Sequence, residues 1–171
     1  MRRLAVFASG SGTNFEAIAT ACERGEIPAR VVLMVCDKPG AGVVQRAAGH
    51  GVEAFVFAPK EYASKADYER EIVRRLDEAG VELVCLARII NIHPSLLPAF
   101  RGAHAIEQAL EYGVKVFGVT IHYVDATLDG GKIISQRAFG YDGDDIAELE
   151  ARIHAVEYPL YIETINKLLK E

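Results

Sequence analysis

Leu4-Ala5-Val6-Phe7-Ala8-Ser9-Gly10-Ser11-Gly12-Thr13-Asn14 is the stretch that decides the fold. Leu4 to Ala8 is an unbroken apolar run, suited to a strand buried on both faces. Ser9 to Thr13 is small and glycine-rich and turns the chain. Asn14 to Arg24 then reads as a helix, because Phe15, Ile18, Ala19 and Cys22 recur at spacings of three and four. Gly25 ends it. A buried strand, a glycine turn and an amphipathic helix make the opening of a parallel α/β sheet.

Outward from that opening the alternation continues. Val31 to Cys36 reads as a second buried strand, Val43 to Gly49 as a small helix and Ala54 to Phe57 as a third strand. Tyr68 to Ala79 is a helix with Ile72, Val73 and Leu76 turned inward, and Val81 to Leu86 is a fourth strand. The second half is less regular. Ile89 to His93 is a short strand stopped by Pro94, and Ala103 to Tyr112 is a helix. Val116 to Val124 and Lys132 to Tyr141 are β-rich and suited to pairing with each other. Asp144 to Lys170 is helical, with a kink expected at Pro159. The fold expected is α/β, a Rossmann-like, mostly parallel sheet flanked by helices, with residues 1–171 forming a single domain.

Composition narrows the function. The 171 residues are 50% hydrophobic and 25% charged, with a net charge of −5. An acidic chain without a basic stretch argues against a nucleic-acid partner. One phosphate can still be held by a few backbone N–H groups. Cys22, Cys36 and Cys85 are odd in number and match no zinc or redox spacing, so they read as buried small hydrophobes of a reducing compartment. No apolar run approaches the roughly 20 residues that span a bilayer. Met1 to Ala8 is too short for a signal peptide and runs straight into a strand. A cytoplasmic protein without a membrane partner is expected.

Three motifs lie where strands end, the usual place for ligands in open α/β sheets. In the first, Gly10-Ser11-Gly12-Thr13-Asn14, glycine lets the backbone approach a ligand and the helix start offers unpaired N–H groups. It lacks the third glycine of the dinucleotide fingerprint, since Phe15 stands there, and no Lys-Ser/Thr pair makes it a P-loop. It reads either as a one-phosphate cradle or as a tight turn with Thr13 or Asn14 as helix N-cap. In the second, Asn91-Ile92-His93-Pro94, alternation along a strand puts Asn91 and His93 on one face. An amide that can donate to an oxyanion then stands beside an imidazole that can move a proton. In the third, Leu128-Asp129-Gly130-Gly131, Asp129 is either a carboxylate for an imidazole or part of an Asp-Gly hairpin turn. His122 and Asp125 suggest a metal, but the histidines are scattered without a close ligand pair, so no metal is expected.

Asn91-Ile92-His93-Pro94-Ser95-Leu96-Leu97-Pro98 and Leu128-Asp129-Gly130-Gly131 resemble the marks of the folate-dependent formyltransferases. Ser9 to Asn14, with Val156-Glu157, Pro159 and Tyr161, resembles the branch whose acceptor is glycinamide ribonucleotide. The resemblance implies a one-carbon transferase of purine biosynthesis, using 10-formyltetrahydrofolate as cosubstrate, without a metal, as a monomer or homodimer. It implies Asn91, His93 and Asp129 as the catalytic trio. Gly12, Thr13 and Asn14 would hold the substrate phosphate, and Glu157, with His154 one turn earlier, would face the ribose. Arg88, Ile89, Ile90 and Val124, Asp125, Ala126, Thr127, Leu128 would lie against the folate. The N-terminal half would then bind the ribonucleotide, and the C-terminal half would bind folate and carry the chemistry. Two departures stand out. Family members carry a longer segment before Asn91, where Arg88, Ile89 and Ile90 alone follow Ala87, and a parallel crossover needs a dozen residues or more. A proline is common in relatives where Arg101 stands.

Overall fold

The computed structural model describes residues 1–85 and 90–170, in two compact units, Met1–Ala87 and Arg88–Glu171. The first contains β1 (Arg2–Phe7), α1 (Thr13–Glu23), β2 (Ala29–Cys36), α2 (Gly42–Gly49), β3 (Glu53–Val56), a 3-10 turn at Pro59–Glu61, α3 (Lys65–Glu78) and β4 (Leu83–Cys85). Its strands lie in the order β3-β2-β1-β4, and every pairing is parallel. Leu4, Ala5 and Val6 are wholly buried, as are Met34 and Cys36 in the neighbouring strand. Successive residues point to opposite faces, so both faces of this sheet are covered, as continuous apolar runs predict. Ala5, Leu33, Val35, Phe55, Phe57 and Val84 form one of those faces, with Tyr68, Ile72 and Leu76 of α3 packed on it. Val73, expected inward on α3, is instead 46% exposed: the helix packs the narrower, partly buried stripe at 68, 72 and 76 on the sheet.

None of the three cysteines is in a disulfide, and burial pushes the Cys22 thiol up to about 11, which suits packing rather than reactivity.

His50, just after α2, ties that helix to α1. Its Nδ1 lies 2.7 Å from Glu23 and its Nε2 3.1 Å from Glu16, with the ring edge-on to Phe15. The hydrogen bond to Glu23, helped by that to Glu16 and opposed by burial, raises the His50 pKa. A raised folded-state pKa stabilises fully below the ordinary value of about 6.5 and ceases to as pH rises through the folded value. His50→Gln should therefore be less stable than the parent near pH ~6, with the gap closing above the raised value. Denaturant midpoints across pH check this; a gap independent of pH would contradict it.

The second unit contains β5 (Ile90–His93), α4 (Ala105–Tyr112), β6 (Val116–Tyr123), β7 (Ile133–Gly140) and α5 (Ile146–Leu168). Here β5 pairs with β6 and β6 with β7, both antiparallel, the latter as the two β-rich segments predict. The Asp145 carboxylate caps α5 by accepting from the N–H groups of Ala147 and Glu148. The helix continues through Pro159 to Leu168. Leu149, Ile153, Leu160, Tyr161 and Ile165 form its buried face. The α/β class expected from the sequence holds, with the parallel pairings in the first unit and the antiparallel ones in the second.

Candidate active site

The second unit brings the three expected catalytic side chains together. In β5, Asn91 lies opposite His122 of β6 and His93 opposite Thr120. Ile90 and Ile92 occupy the other face and are buried, at 0% and 9% exposure. The strand ends at Pro94, which has no N–H to donate. The following loop is pinned from inside. Ser95 Oγ donates to Ala99 O, Leu97 N–H donates to Thr120 Oγ1 (3.0 Å), and Thr120 Oγ1 donates to Ser95 O (2.7 Å). Gln136 Nε2 adds a bond to Leu97 O (3.0 Å). This anchoring sets Phe100 O at 2.8 Å from His93 Nε2 and Gly102 N–H at 2.8 Å from Asp129 Oδ2.

Asp129 is the hub. Its Oδ2 lies 3.5 Å from His93 Nδ1. Its Oδ1 lies 3.5 Å from Asn91 Nδ2 and 3.6 Å from His122 Nε2. Side-chain exposure is 11% for Asp129, 6% for His93 and 3% for His122, so water screens these contacts little. Both ring nitrogens of His93 face oxygen atoms, Nε2 toward Phe100 O and Nδ1 toward Asp129. Asp129 itself has φ +46°, and Phe100 and His104 have φ +52° and +61°. These are the non-glycine residues with positive φ among the described residues, and all sit on the loops framing the cluster. Such backbone costs roughly 1–2 kcal/mol per residue and gathers at functional sites.

The turn carrying Asp129 has no room for larger residues. A Cβ on Gly131 would lie 1.7 Å from Tyr123 O, and one on Gly130 would lie 2.1 Å from Thr127 Oγ1. Thr127 donates its N–H (2.8 Å) and its hydroxyl to Asp125, which holds the Asp125 carboxyl below its ordinary range. The loop lines a cavity of about 390 Å³ with Asn91, His122, Val124, Asp125, Ala126, Thr127, Leu128 and Asp129. The expected folate residues from Val124 to Leu128 thus surround the same space as Asn91 and Asp129. The Ile90 side chain lies in the core, away from it. Arg88 and Ile89, and the short connection they belong to, lie outside the described residues.

His122 is the residue that sequence reasoning missed, having weighed it only as a metal ligand with Asp125. Its Nδ1–H donates to Tyr123 O (2.8 Å), and its Nε2 lies 3.5 Å from Asn91 Nδ2 and 3.6 Å from Asp129 Oδ1. The β5–β6 register, which no local pattern prints, is the signal that would have found it. Among the described residues no group of three or more His, Cys, Asp or Glu side chains is arranged to hold a metal ion.

In the first unit, Gly12 is the N-cap of α1, with φ +79° and no side-chain cap. That corrects the alternative that Thr13 or Asn14 caps the helix: the left-handed turn needs glycine and starts the helix one residue early. A Cβ at Gly12 would stand 2.7 Å from the Val43 side chain. The first N–H groups of α1 are therefore left without a side-chain acceptor, as in an anion site. Asn14 Oδ1 is buried without a hydrogen-bond partner among the described residues, an acceptor that an incoming donor would satisfy.

On α5, Glu157 is buried and His154 half exposed. His154 Nε2 is 3.7 Å from Glu157, and its ring stacks on Tyr158. Burial raises the Glu157 carboxyl pKa, and His154 partly offsets this.

Comparison with known proteins gives a consistent result. The family model described as Formyl transferase (Formyl_trans_N) matches residues 2–88 and 87–165, two stretches that meet where the short connection lies. The phosphoribosylglycinamide formyltransferase of Bacillus subtilis (strain 168) is 45% identical over 186 residues, covering 99% of this chain and 95% of that protein. That span exceeds the 171 residues present here. The trifunctional purine biosynthetic protein adenosine-3 of Drosophila melanogaster is 40% identical over 92% of this chain, which spans 13% of that longer protein. The crystal structure of glycinamide ribonucleotide transformylase 1 from Geobacillus kaustophilus is 50% identical, covers 99% of both chains and superposes with a TM-score of 0.91.

Proposed function

The chain belongs to the formyl transferase family, and from that premise we propose that it moves the formyl group of 10-formyltetrahydrofolate to the amine of glycinamide ribonucleotide in purine biosynthesis. The observation that carries the reading is the convergence of Asn91, His93 and His122 on Asp129 beside a cavity of about 390 Å³. The amine nitrogen attacks the formyl carbon, and the carbonyl oxygen becomes an oxyanion. The intermediate collapses as the carbon–N10 bond breaks. The amine loses a proton and N10 gains one, so the reaction needs no oxidant and no covalent enzyme intermediate.

The chain's own groups suit these steps. The Asn91 amide is held only by contacts of 3.5 Å, so it is free to turn its N–H toward the oxyanion. Asp129, held by Gly102 N–H, faces both imidazoles and can receive the amine proton directly or through water. His93, held by Phe100 O through Nε2, stands behind the carboxylate with Nδ1 toward it. Gly12, Thr13 and Asn14 take the phosphate, Glu157 and His154 the ribose, and the Val124–Leu128 loop the folate. On this reading the N-terminal half binds the phosphate of the ribonucleotide, and the C-terminal half carries the ribose contacts, folate binding and catalysis. The setting is the cytoplasm, the partners are these two small molecules, and the protein is a monomer or homodimer. Among the described residues no helix is long and apolar enough to cross a membrane.

Calorimetry with each ligand tests the reading: both should bind, and inorganic phosphate should compete with the ribonucleotide alone. Absence of folate binding would contradict it and favour a non-catalytic nucleotide-binding module. Glu157→Gln, which keeps the shape and removes the charge, should raise KM for the ribonucleotide about tenfold and leave KM for folate unchanged. Because its carboxyl pKa is raised, ribonucleotide affinity in the parent should fall as pH drops through that value. Steady-state kinetics at several pH values checks both.

A further inference from the structure

The glycine loop is held from behind by a side chain that no motif flagged. Gly10 O accepts from Val43 N–H (3.2 Å) at the start of α2, and Ser11 O accepts from Arg46 Nε (2.8 Å) in the same helix. The cis peptide among the described residues is Leu97–Pro98, so the loop peptides are trans. In a trans peptide the C=O and N–H point in opposite directions. Drawing two successive carbonyls toward α2 therefore aims the N–H groups of Ser11 and Gly12 away from it. They join the uncapped N–H groups of the first turn of α1.

Arg46 is itself fixed. Its Nη1 lies 3.1 Å from Glu16 Oε2, while Glu16 Oε1 lies 3.1 Å from His50 Nε2, and His50 Nδ1 reaches Glu23 at 2.7 Å. Glu16 stands in the first turn of α1, so its bare charge would oppose an anion at that helix start. Arg46 and His50 both face it. The hydrogen bonds from His50 and then Arg46 hold the Glu16 carboxyl below its ordinary range, so it stays an acceptor for both. Arg46 and Glu16 are each 39% exposed, so the pair adds little to stability. What it supplies is orientation, since the planar guanidinium grips a carbonyl and a carboxylate at once.

We propose that Arg46 is a positioning residue for phosphate recognition, turning the Ser11–Gly12 peptide so that its N–H faces the substrate, with Glu16 and His50 fixing the guanidinium. The inference rests on the reading that the Gly12–Asn14 loop takes the substrate phosphate. The two are separated by following backbone amide resonances of the full chain during titration with inorganic phosphate and then glycinamide ribonucleotide. In the parent, the Ser11 and Gly12 amides should shift on phosphate addition; if they do not, the loop reading itself fails. In Arg46→Ala those shifts should need about tenfold more ligand, and KM for the ribonucleotide should rise about as much, with kcat and KM for folate changed far less. Arg46→Lys should not restore binding, because an ammonium cannot hold both partners in one plane. Glu16→Gln, which leaves Arg46 in place but loosens it, should give a smaller loss of the same kind and serves where Arg46→Ala does not fold. Parent amides that shift, with ribonucleotide affinity unchanged in Arg46→Ala or, where that variant does not fold, in Arg46→Lys and Glu16→Gln, would overturn the role of Arg46 alone.

Discussion

Asn91→Ala is expected to lower kcat by about 10²–10³, the usual cost of removing one oxyanion donor, while KM for both substrates stays close to the parent's. The Asn91 amide makes contacts of 3.5 Å to His122 and Asp129, at the outer limit of hydrogen bonding, so the resting structure depends on it little. Its strand is held instead by the ladder to β6 and by buried Ile90 and Ile92. Truncation should therefore leave the melting temperature nearly unchanged. The loss appears only when the formyl oxygen becomes an anion with one donor fewer. Steady-state kinetics beside a thermal melt gives the answer. An unchanged kcat would remove Asn91 from the chemistry, and a large fall in melting temperature would make it a structural residue.

Gly131→Ala should be the most damaging single-methyl substitution at the site. The added Cβ would meet Tyr123 O at 1.7 Å, and the partner is backbone of β6, so no side chain can swing away. Relief requires moving the end of β6 or the turn that carries Asp129. Overpacking typically costs about 1–3 kcal/mol, and a clash against backbone belongs at the upper end. For a chain of this length that lowers the melting temperature by roughly 2–4 °C per kcal/mol. Activity should suffer further, because a displaced Asp129 loses Gly102 N–H and both imidazoles together. Melting temperature and kcat measured on one preparation check this. A variant as stable and as active as the parent would mean that the turn is pliable.

Much of this was legible in the chain itself. Leu4 to Phe7 and Val31 to Cys36 are apolar without alternation, which allows few settings besides a parallel sheet covered on both faces. Asn91 and His93 share a face because side chains alternate along a strand, and Pro94 marks the end. His122 was not legible, because it joins the cluster through the register between β5 and β6, set by long-range packing. Arg46 was hidden for the same reason: it meets Ser11 across 35 residues, in a helix without a motif. The N-cap at Gly12 was not weighed, because Thr13 and Asn14 are the better cappers by type. The left-handed turn and the nearness of Val43 leave that position to glycine.

The most direct test of the central claim follows loss of the formyl group from 10-formyltetrahydrofolate by the purified 171-residue protein, with and without glycinamide ribonucleotide. Turnover that needs the amine, and delivers the formyl group to it, is the predicted result. Turnover at the same rate without the amine would make the protein a formyltetrahydrofolate hydrolase, with water as the formyl acceptor, and no turnover in either arm from the folded chain would contradict formyl transfer altogether.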